Sequence, residues 1–505
     1  MKTIDKFLNS ITMYRLMLYG LTAISVYAII LEFFGSLSIG GGLALIGSLV
    51  VLLFGSFGSN YLFAKLFGVP ANIESSWITG YILFLVMQPA TDLTGYLWLL
   101  GVAFIAMLSK YVLVIHRKHI FNPAAIALFI VGVSGSGMAI WWVGSALMLP
   151  IVLIIGLLIV RKIKRFPLFF AFIISSLMVM LYAFTSLGSS ASEVLKLAFT
   201  SFPLIFFATI MLTEPLTAPP TKRLQVIYGV IIGVLFSSQF SIGPVYTTPE
   251  FALVVGNIFS YFVSSNRKFL LTLKSHSKLS NLIHEFSFAS DHKIDFKPGQ
   301  YLEWTFPHEN ADTRGIRRFF TIASSPTEDD VKLGVRIQDG GSSFKKQLSE
   351  SGAGTVVFAG SLSGEFTLPK DQNIKLVFIA GGIGVTPFRS MIKYLVDKKE
   401  KRDITLFYAC AAENDFVYDD LFNEATSTIG LSLIKVVTDT TKVSEMWKGK
   451  TGFITKELIE SVVPDYKDRV FYLSGPDAMV QNYKQLLIAS GIKRCQIKTD
   501  YFPGF

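Results

Sequence analysis

Cysteine and charged residues are scarce in this 505-residue sequence. Its two cysteines, Cys410 and Cys495, cannot supply the four thiolates of a plant-type iron–sulfur cluster, and they give no support to a disulfide framework. Charged residues make up only 16% of the chain, whereas hydrophobic residues make up 51% and include 44 phenylalanines. This composition is too apolar for an ordinary soluble protein of this length and indicates a large membrane-embedded part.

The apolar residues are concentrated before residue 266, where one apolar stretch follows another. A helix that spans a bilayer needs about 20 mostly apolar residues. The sequence predicts ten such helices, of which the third and fifth are short or interrupted by Pro89 and Pro123. The predicted helix centres are Ala23, Leu49, Leu83, Phe104, Leu128, Ile154, Leu177, Leu204, Ile231 and Asn257.

Basic residues follow the alternation typical of a multi-pass membrane protein. With the N-terminus in the cytoplasm, every lysine and arginine up to Lys268 falls on the cytoplasmic side except Lys196. Because the net charge of +10 is explained in this way, we expect no nucleic-acid binding. We also expect no cleavable signal peptide, since Met1 to Arg15 leads into a full-length apolar helix. The sequence thus predicts a multi-pass protein of the cell inner membrane, in contact with lipid, with a cytoplasmic C-terminal part.

Two segments that lie five helices apart are similar in sequence. FLVMQPATDLTG ends the third predicted helix, and TIMLTEPLTAPP ends the eighth. Helices five apart end on opposite sides of the membrane, as in an inverted repeat whose proline-broken helices line an internal site. The alternative is that two helices happen to end in proline–threonine loops. The similarity alone does not choose between these interpretations.

The segments HIFNPAAIALFIVG (119–132) and TEPLTAPPTKRLQVIYGVIIGVL (213–235) resemble the signature segments of the NqrB/RnfD family. This family comprises the flavin-bearing membrane subunits of the sodium-pumping NADH:quinone reductase and of the Rnf complex. The resemblance spans roughly residues 77–263 and implies a ten-helix inverted-repeat fold that holds a flavin inside the bundle. It makes five residues candidates for shaping the flavin site: Asn122, Pro123, Glu214, Pro215 and Thr217. Helix N-termini suit anions, but asparagine and proline also cap broken helices, so both interpretations stay open.

The sequence after residue 267 has the mixed composition of a soluble domain. Segments such as LIHEFSFAS, KPGQYLEWTF and VKLGVRIQ alternate apolar and polar residues between turns, which predicts a small antiparallel β-barrel. From IKLVFIAGG onward, strand and helix patterns alternate, which is typical of a parallel nucleotide-binding sheet. We therefore predict a multi-domain chain: an α-helical membrane bundle at 1–266, an antiparallel β-barrel at 267–370 and an α/β parallel-sheet domain at 371–505.

The segment RRFFTIASSP resembles the Arg-x-aromatic-Ser/Thr-x-x-Ser flavin motif of the ferredoxin–NADP reductase superfamily, which implies FAD in the barrel. By this resemblance Arg318 pairs with the FAD pyrophosphate, and Phe320 lies against the isoalloxazine ring. Thr321 would offer a hydroxyl near flavin N5, and Ser324 would close the loop on the phosphates. A second phosphate segment, GGSSFKKQL, adds the candidates Gly341, Ser342 and Ser343. The alternative is an exposed edge strand, but the nucleotide domain that follows favours the flavin motif.

The segment IAGGIGVTPFRSMI follows an apolar strand and opens a helix, so its turn and helix N-terminus are suited to a pyrophosphate. It matches the superfamily's GGxGxTP motif. The resemblance implies NAD(P) contacts from Gly381, Gly382, Gly384, Thr386 and Pro387. YLSGPDAMV resembles the CGPxxM motif near the nicotinamide, with Ser474 in the usual place of cysteine before Gly475 and Pro476. In the superfamily that cysteine aids the geometry of hydride transfer. The serine therefore puts the rate of hydride transfer in doubt more than the identity of the cofactor.

The chain ends in TDYFPGF. In the superfamily a C-terminal aromatic ring often covers the isoalloxazine and moves when the nicotinamide docks. The resemblance gives this role to Phe505, with Tyr501 and Phe502 nearby, and the alternative is a frayed terminus. The predicted catalytic residues are thus Thr321, Ser474 and Phe505, and no metal site is predicted.

These motifs predict a membrane-bound flavin oxidoreductase. Hydride would pass from NAD(P)H to FAD, and electrons would continue singly to a flavin in the membrane bundle, for which FMN is the candidate. From there they would reach a quinone or an external acceptor, with other electron-transport subunits as candidate partners. Coupling to Na⁺ or H⁺ movement stays open, and the candidate acids are Glu32, Asp92, Glu193, Glu214 and Glu250.

Two other functions share parts of this pattern. A haem-bearing transmembrane reductase of the ferric-reductase type needs histidine pairs on facing helices, whereas the membrane half contains only His116 and His119, on one short stretch. A redox-regulated transporter would also contain broken helices. A complete hydride-transfer site favours an enzyme over a transporter that only senses the redox state.

The sequence also predicts a preference for NADH over NADPH. Enzymes that bind NADPH need cations around the 2′-phosphate, typically arginine. At the corresponding positions the chain has Ala411, Ala412 and Glu413 after one strand, and Thr438 and Asp439 after the next. A nearby carboxylate would repel the phosphate, although Lys442 could compensate.

A covalent flavin is the last candidate feature. In the NqrB/RnfD family, a Ser-Gly-Ala-Thr segment carries FMN on its threonine through a phosphoester bond. The corresponding residues are Ser189-Ser190-Ala191-Ser192, so the resemblance implies FMN on Ser192. However, Ser190 replaces the glycine, and no acidic residue lies just upstream. A small-residue turn between two helices is therefore the favoured interpretation.

Overall fold

The computed structural model describes residues 7–8, 11–69, 71–115, 118–237, 241–242, 245–264, 268–309, 311–312, 315–338 and 340–500. The chain divides into an N-terminal helical unit and a C-terminal unit that begins at Lys268. The C-terminal unit contains both predicted sheets.

Within the described residues, the N-terminal unit contains eleven helices. They are α1 (Met13–Phe33), α2 (Gly42–Leu66), α3 (Ile73–Val86), α4 (Leu93–Val112), α5 (Pro123–Val133), α6 (Leu149–Ile163), α7 (Phe166–Ser186), α8 (Ala191–Thr200), α9 (Leu204–Met211), α10 (Lys222–Leu235) and α11 (Pro249–Val263). Two short hairpins accompany them: β1 (Val114–Ile115) with β2 (Lys118–His119), and β3 (Ser241–Ile242) with β4 (Val245–Tyr246). Each predicted helix centre lies in one of these helices.

Helix length separates the candidate spans from the rest. Among the described helices, α1, α2, α4 and α7 are long and apolar enough to cross a membrane. Helices α8 and α9 are bent by 61° at their break and make a fifth candidate if they form one span. Helices α3, α5 and α11 are apolar but shorter. The unit therefore has about four candidate spans, and helix length by itself does not establish ten.

Side-chain caps and prolines determine where the shorter helices begin. Asn122 caps α5 through a hydrogen bond from the Ala125 backbone N–H (3.1 Å), and Thr248 caps α11 in the same way. Pro123 and Pro249 are the first residues of these helices, where the missing N–H is not needed. The fifth predicted helix is short, as expected: α5 has 11 residues, and Pro123 begins it and does not interrupt it.

The first sheet of the C-terminal unit is antiparallel, with the strand order β8-β7-β10-β5-β6-β9. Its strands are β5 (Phe269–Lys278), β6 (Ile283–Ser290), β7 (Tyr301–Thr305), β8 (Arg317–Thr321), β9 (Val331–Arg336) and β10 (Val356–Ser363). A short helix, α12 (Ser343–Ser349), precedes β10. Alternating apolar side chains, including Phe286, Phe288 and Trp304, fill one buried cluster. Just beyond β8, the Ala323 N–H donates to the Lys332 carbonyl of β9 (2.9 Å), which links the two edge strands.

The second sheet is parallel, with the order β14-β13-β12-β11-β15-β16. Its elements are β11 (Leu376–Gly381), α13 (Thr386–Lys398), β12 (Ile404–Cys410), α14 (Asp419–Ile429), β13 (Ser432–Val437), β14 (Lys450–Thr451), α15 (Lys456–Val462), β15 (Val470–Ser474), α16 (Asp477–Ala489) and β16 (Ile497–Thr499). Every residue of β11 and β12 is buried, as expected for strands covered on both faces. The chain order reverses between β11 and β15, and ligands of such sheets bind beyond the carboxyl ends of strands at this point.

Candidate functional site

Strand β8 presents two of the predicted flavin contacts to helix α12. The Arg318 side chain is buried, and its guanidinium lies over the Phe344 ring at 5.6 Å from the ring centroid. The Phe320 ring lies 5.7 Å from the same Phe344 ring. Residues two apart on a strand share a face, so Arg318 and Phe320 face α12 together.

The N-terminus of α12 gathers hydrogen-bond donors around one carboxylate. Asp312 accepts a hydrogen bond from the Ser343 backbone N–H (3.0 Å) and lies 3.5 Å from the Arg318 guanidinium. The Ser343 hydroxyl accepts from the Asp312 backbone N–H (2.9 Å), and His308 Nε2 lies 2.9 Å from it. Ser342 caps the helix, and Gly341 precedes it. Donors of this kind also bind phosphate oxygens, and their contact with the pyrophosphate of FAD stays a prediction.

The glycine-rich turn between β11 and α13 is shaped by its neighbours. A Cβ on Gly384 would lie 2.5 Å from the Ser474 carbonyl oxygen, and a Cβ on Gly381 would lie 2.2 Å from Met479 Sδ. Gly384 is therefore required for close packing against the turn after β15, whereas Gly381 packs against the flexible Met479 side chain of α16. Gly382 has a φ of 53°, in the left-handed region, and a Cβ there would meet nothing within 4 Å. Its open side is where a nucleotide can approach the backbone.

The remaining turn residues begin helix α13. Thr386 is the first residue of the helix, and its hydroxyl donates to the Ile383 carbonyl (3.2 Å). Pro387 follows in the first turn, where no intrahelical N–H bond is lost. The turn therefore leads directly into a helix N-terminus, which attracts anions.

Two predicted catalytic hydroxyls meet at a carboxylate that the sequence did not single out. Asp500 Oδ2 accepts hydrogen bonds from the hydroxyls of Ser474 (3.2 Å) and Thr321 (3.5 Å). The Asp500 N–H donates to the Leu473 carbonyl (3.0 Å), which fixes the residue beside the end of β15. The only sequence signal for Asp500 is its position just before the C-terminal aromatic residues. Phe505, with Tyr501 and Phe502, lies outside the described residues, so its predicted role stays a prediction.

Three other predicted contacts have clear structural surroundings. The Ser324 hydroxyl accepts from the Lys332 N–H (3.0 Å) and thereby connects the loop after β8 to β9. Gly475 and Pro476 form the turn between β15 and α16, and Pro476 is the N-cap of that helix. Their contacts with a nucleotide and with phosphate remain predictions.

Acidic groups surround the carboxyl ends of β12 and β13. Glu413 accepts from the Ser444 N–H (3.1 Å), and Asp439 forms an ion pair with Lys442 (2.9 Å). Hydrogen bonds from Thr441 and Lys442 lower the pKa of Asp439 to about 2, so it is ionised at neutral pH. Because Lys442 already pairs with Asp439, its charge is largely compensated and is poorly available to a 2′-phosphate.

The two signature segments of the helical unit come together in a buried polar cluster. Glu214 Oε2 accepts from the Asn122 amide (2.9 Å) and from the Thr217 hydroxyl (3.1 Å), and Pro215 follows in the same turn. The Asn122 N–H donates to the Asn257 side chain (2.8 Å). His119 Nε2 lies 4.0 Å from Glu214 Oε1, whereas His116 lies outside the described residues. The structure thus brings the five candidates to one place, and their contact with a flavin remains a prediction.

The other acids of the helical unit have local structural partners. Glu32 accepts from the backbone N–H groups of residues 39–41. Asp92 caps α4, and Glu193 forms a capping box with Ser190 at α8. The buried Glu250 accepts from the Trp141 indole N–H (3.2 Å). Each of these acids thus has a local structural partner, and a role in ion movement stays a prediction.

Ser192 lies in the first turn of α8 and is exposed. Its hydroxyl is 3.1 Å from that of Ser190, which caps the helix. The small-residue turn is thus explained by capping. The exposed hydroxyl is also accessible to an attaching enzyme, so FMN at Ser192 remains a prediction.

Comparison with known proteins supports the nucleotide-binding part. Residues 378–485 match the family of oxidoreductase NAD-binding domains. The chain is 25% identical over 226 residues to the reductase subunit of glycine betaine monooxygenase from Pseudomonas aeruginosa, covering 44% of this chain and 60% of that protein. It is also 25% identical over 232 residues to the electron transfer component of xylene/toluene monooxygenase from Pseudomonas putida, covering 46% and 64%. The chain thus spans about three-fifths of the length of these relatives.

Among solved structures, the chain is similar to a cytochrome P450 reductase from Amycolatopsis, with 23% identity and a TM-score of 0.42, covering 47% of this chain and 70% of that one. The sequence relatives and the matched domain family lead to one conclusion. The C-terminal unit is an NAD(P)H-dependent electron-transfer oxidoreductase module with FAD and NAD(P)H as its cofactors, and it is similar to the reductase components of these oxygenase systems.

Proposed function

We propose that the whole chain is a membrane-bound flavin oxidoreductase that passes electrons from NAD(P)H through FAD to a flavin in the helical unit, and from there to a quinone or an external acceptor. The observation that carries the proposal is the meeting of Thr321 and Ser474 at Asp500. One residue belongs to the flavin motif and the other to the nicotinamide motif. A site that joins both motifs at one carboxylate is suited to hydride transfer between two bound rings.

Bound FAD supplies the acceptor for hydride and releases electrons one at a time. The protein binds and orients both cofactors. Arg318 and the Ser343 N–H are the donors for the FAD pyrophosphate, and the turn at Gly382 with the N-terminus of α13 is the site for the pyrophosphate of NAD(P)H. Thr321 and Ser474 hold their hydroxyls toward Asp500, whose Oδ2 orients both hydroxyl groups at the site of hydride transfer.

The proposed membrane function is supported by the arrangement of the helical unit. Each of the ten predicted centres lies in a helix, and the two NqrB/RnfD-like segments meet at Asn122 and Glu214. Helix α5 begins beside this cluster, and a helix N-terminus suits the phosphate of a flavin. We accordingly propose a ten-helix bundle in the inner membrane, with the C-terminal unit in the cytoplasm. FMN is the proposed second flavin, held in the bundle or attached at Ser192.

Single-turnover reduction of the enzyme by NADH tests the hydride-transfer site. We expect Asp500→Asn to lower the rate of FAD reduction roughly tenfold or more, because the charged acceptor that orients both hydroxyls is lost. FAD content should not change. Asp330→Asn is the matched control, because this carboxylate pairs with Lys274 (2.7 Å) on the surface of the antiparallel sheet. An Asp500→Asn enzyme that is reduced as fast as the wild type would refute the site.

A further inference from the structure

Helix α13 contains a buried arginine that lies outside the glycine-rich motif. Arg389 follows Pro387 by two residues, and its side chain is only 7% exposed. Burial of a guanidinium costs free energy unless its donors are paired. Among the described residues, the hydrogen-bond partners of Arg389 all belong to the loop that follows the flavin strand β8, so this residue connects the two cofactor motifs. Its guanidinium also lies over the Tyr418 ring, 5.6 Å from the ring centroid.

Arg389 holds this loop through both ends of its guanidinium. Nη1 donates to the Ala323 carbonyl (3.1 Å), and Nη2 donates to Glu328 Oε1 (2.9 Å). Nη1 also forms a second, short contact with Glu328 Oε2. Such a two-point contact restrains direction as well as distance, which a single ammonium group cannot do.

The neighbouring residues extend the connection. The Ser390 hydroxyl donates to the Ser324 carbonyl (2.6 Å), and the Ser325 N–H donates to Glu328 Oε2 (2.7 Å). Successive backbone groups at 323, 324 and 325 are therefore held by α13, directly or through Glu328. Thr321 lies only two residues before this loop, and Gly384 lies only five residues before Arg389.

We propose that Arg389 is a positioning residue that sets the distance between the nicotinamide turn and the flavin strand. The inference rests on the proposed hydride transfer and names the group that aligns it. Arg389 touches neither cofactor in this role. It fixes α13, whose N-terminus is the nucleotide site, against the loop that continues from Thr321. Hydride transfer is sensitive to such alignment, because a misplacement of about 1 Å can cost a factor of about 100 in rate.

The surroundings of Arg389 allow it to be replaced without loss of the fold. Lys332 lies 3.4 Å from Glu328 and still compensates its charge when the guanidinium is shortened. One side of Arg389 faces an open cavity of about 360 Å³, which is also lined by Tyr418 and Glu285. A smaller side chain therefore admits water and does not leave a sealed void.

Two variants and one control test the proposal in the full-length enzyme. Arg389→Lys keeps the charge and removes the two-point contact, while Ser390→Ala removes the neighbouring bond without any change of charge. Lys398→Gln on the same helix is the control, because Lys398 is exposed in the last turn of α13. The measurements are FAD content, KM for NADH, the single-turnover rate of FAD reduction, and the primary isotope effect with deuterated NADH.

For Arg389→Lys we expect the reduction rate to fall roughly 10- to 100-fold, with FAD content and KM within twofold of the wild type. The isotope effect on kcat should rise, because hydride transfer becomes more rate-limiting. Ser390→Ala should change the rate in the same direction by less, and Lys398→Gln should change nothing. An unchanged rate per bound FAD in Arg389→Lys, or a loss that only parallels lost FAD, would overturn the inference. A wild-type enzyme that NADH does not reduce would instead overturn the proposed function.

Discussion

Arg317 and Arg318 are neighbours on β8, yet they have different surroundings. Arg317 lies 3.7 Å from Glu303 on the adjacent strand β7, whereas Arg318 is buried against Phe344 and Asp312. Successive residues of a strand point to opposite faces, so only one of the two can face the FAD pyrophosphate. Arg317 is therefore a matched control for a substitution of Arg318.

Replacement of Arg318 by alanine should release FAD. Loss of a charge-assisted hydrogen bond costs roughly 1.5–3 kcal/mol, which corresponds to a weakening of binding by about tenfold or more. The FAD absorbance per protein after extensive dialysis measures this. Arg317→Ala should retain FAD, and equal loss from both variants would contradict the assignment to Arg318.

The two cysteines should differ in reactivity. Cys410 is buried, and this burial raises the pKa of its thiol to about 12, whereas Cys495 is exposed. Because the thiolate is the reactive form, Cys410 stays unreactive at pH 8 and its reactivity increases only as the pH approaches 12. We expect a thiol reagent to modify one site per chain at pH 8 and two sites after unfolding. Rapid labelling of a Cys495→Ser variant in the folded state would contradict this.

The acidic residues after β12 and β13 should select NADH over NADPH. Asp439 is ionised and holds Lys442, and a carboxylate near the adenosine ribose repels a 2′-phosphate. We expect kcat/KM to be higher for NADH than for NADPH. Asp439→Asn should lower the ratio of these two kcat/KM values, because the carboxylate is lost and Lys442 is released. Asp371→Asn, before the amino end of β11, should leave the ratio unchanged. A wild-type enzyme with a higher kcat/KM for NADPH would contradict the role assigned to these acidic residues.

Asn122, at the start of helix α5, makes two kinds of contact with its side chain. The Asn122 side chain caps the helix and donates to Glu214, while Asn72 caps α3 without an acidic partner for its amide among the described residues. Loss of a cap costs roughly 0.5–2 kcal/mol, and loss of a hydrogen bond to a charged group costs a further 1.5–3 kcal/mol or so.

We therefore expect Asn122→Ala to lower the Tm of the detergent-solubilised protein more than Asn72→Ala does. Thermal unfolding followed by the fluorescence of its tryptophans measures the difference. If the cluster also shapes a flavin site, Asn122→Ala should lose flavin from the helical unit and Asn72→Ala should not. Equal effects on Tm would show that Glu214 adds nothing to the cap.

The sequence predicted those elements whose residues repeat a local pattern. The buried strands β11 and β12, the glycine-rich turn and the ten helix centres follow from apolar runs and from turn residues. Asp500, Asp312 and Arg389 could not be predicted in this way, because their partners are distant in the chain and no periodicity marks them. Pro123 marks a short helix and not a broken one, because proline interrupts a helix only from its interior. At the first position it begins one.

The whole molecule combines a nucleotide-oxidising unit with a helical unit that has about four candidate spans. Electrons that enter through a hydride donor must leave FAD, and the polar cluster of Glu214 is the proposed site of the next acceptor. A flavin there needs only phosphate and ring contacts. A pair of haems would need four axial ligands, commonly histidines, and residues 1–266 contain two histidines.

Anaerobic titration of the purified full-length protein with NADH, followed by optical spectra, tests this electron path most directly. We predict that the flavin absorbance is bleached in two phases, as FAD and then the flavin of the helical unit are reduced, without a haem Soret band. A Soret band, or flavin absorbance that NADH does not change, would contradict it.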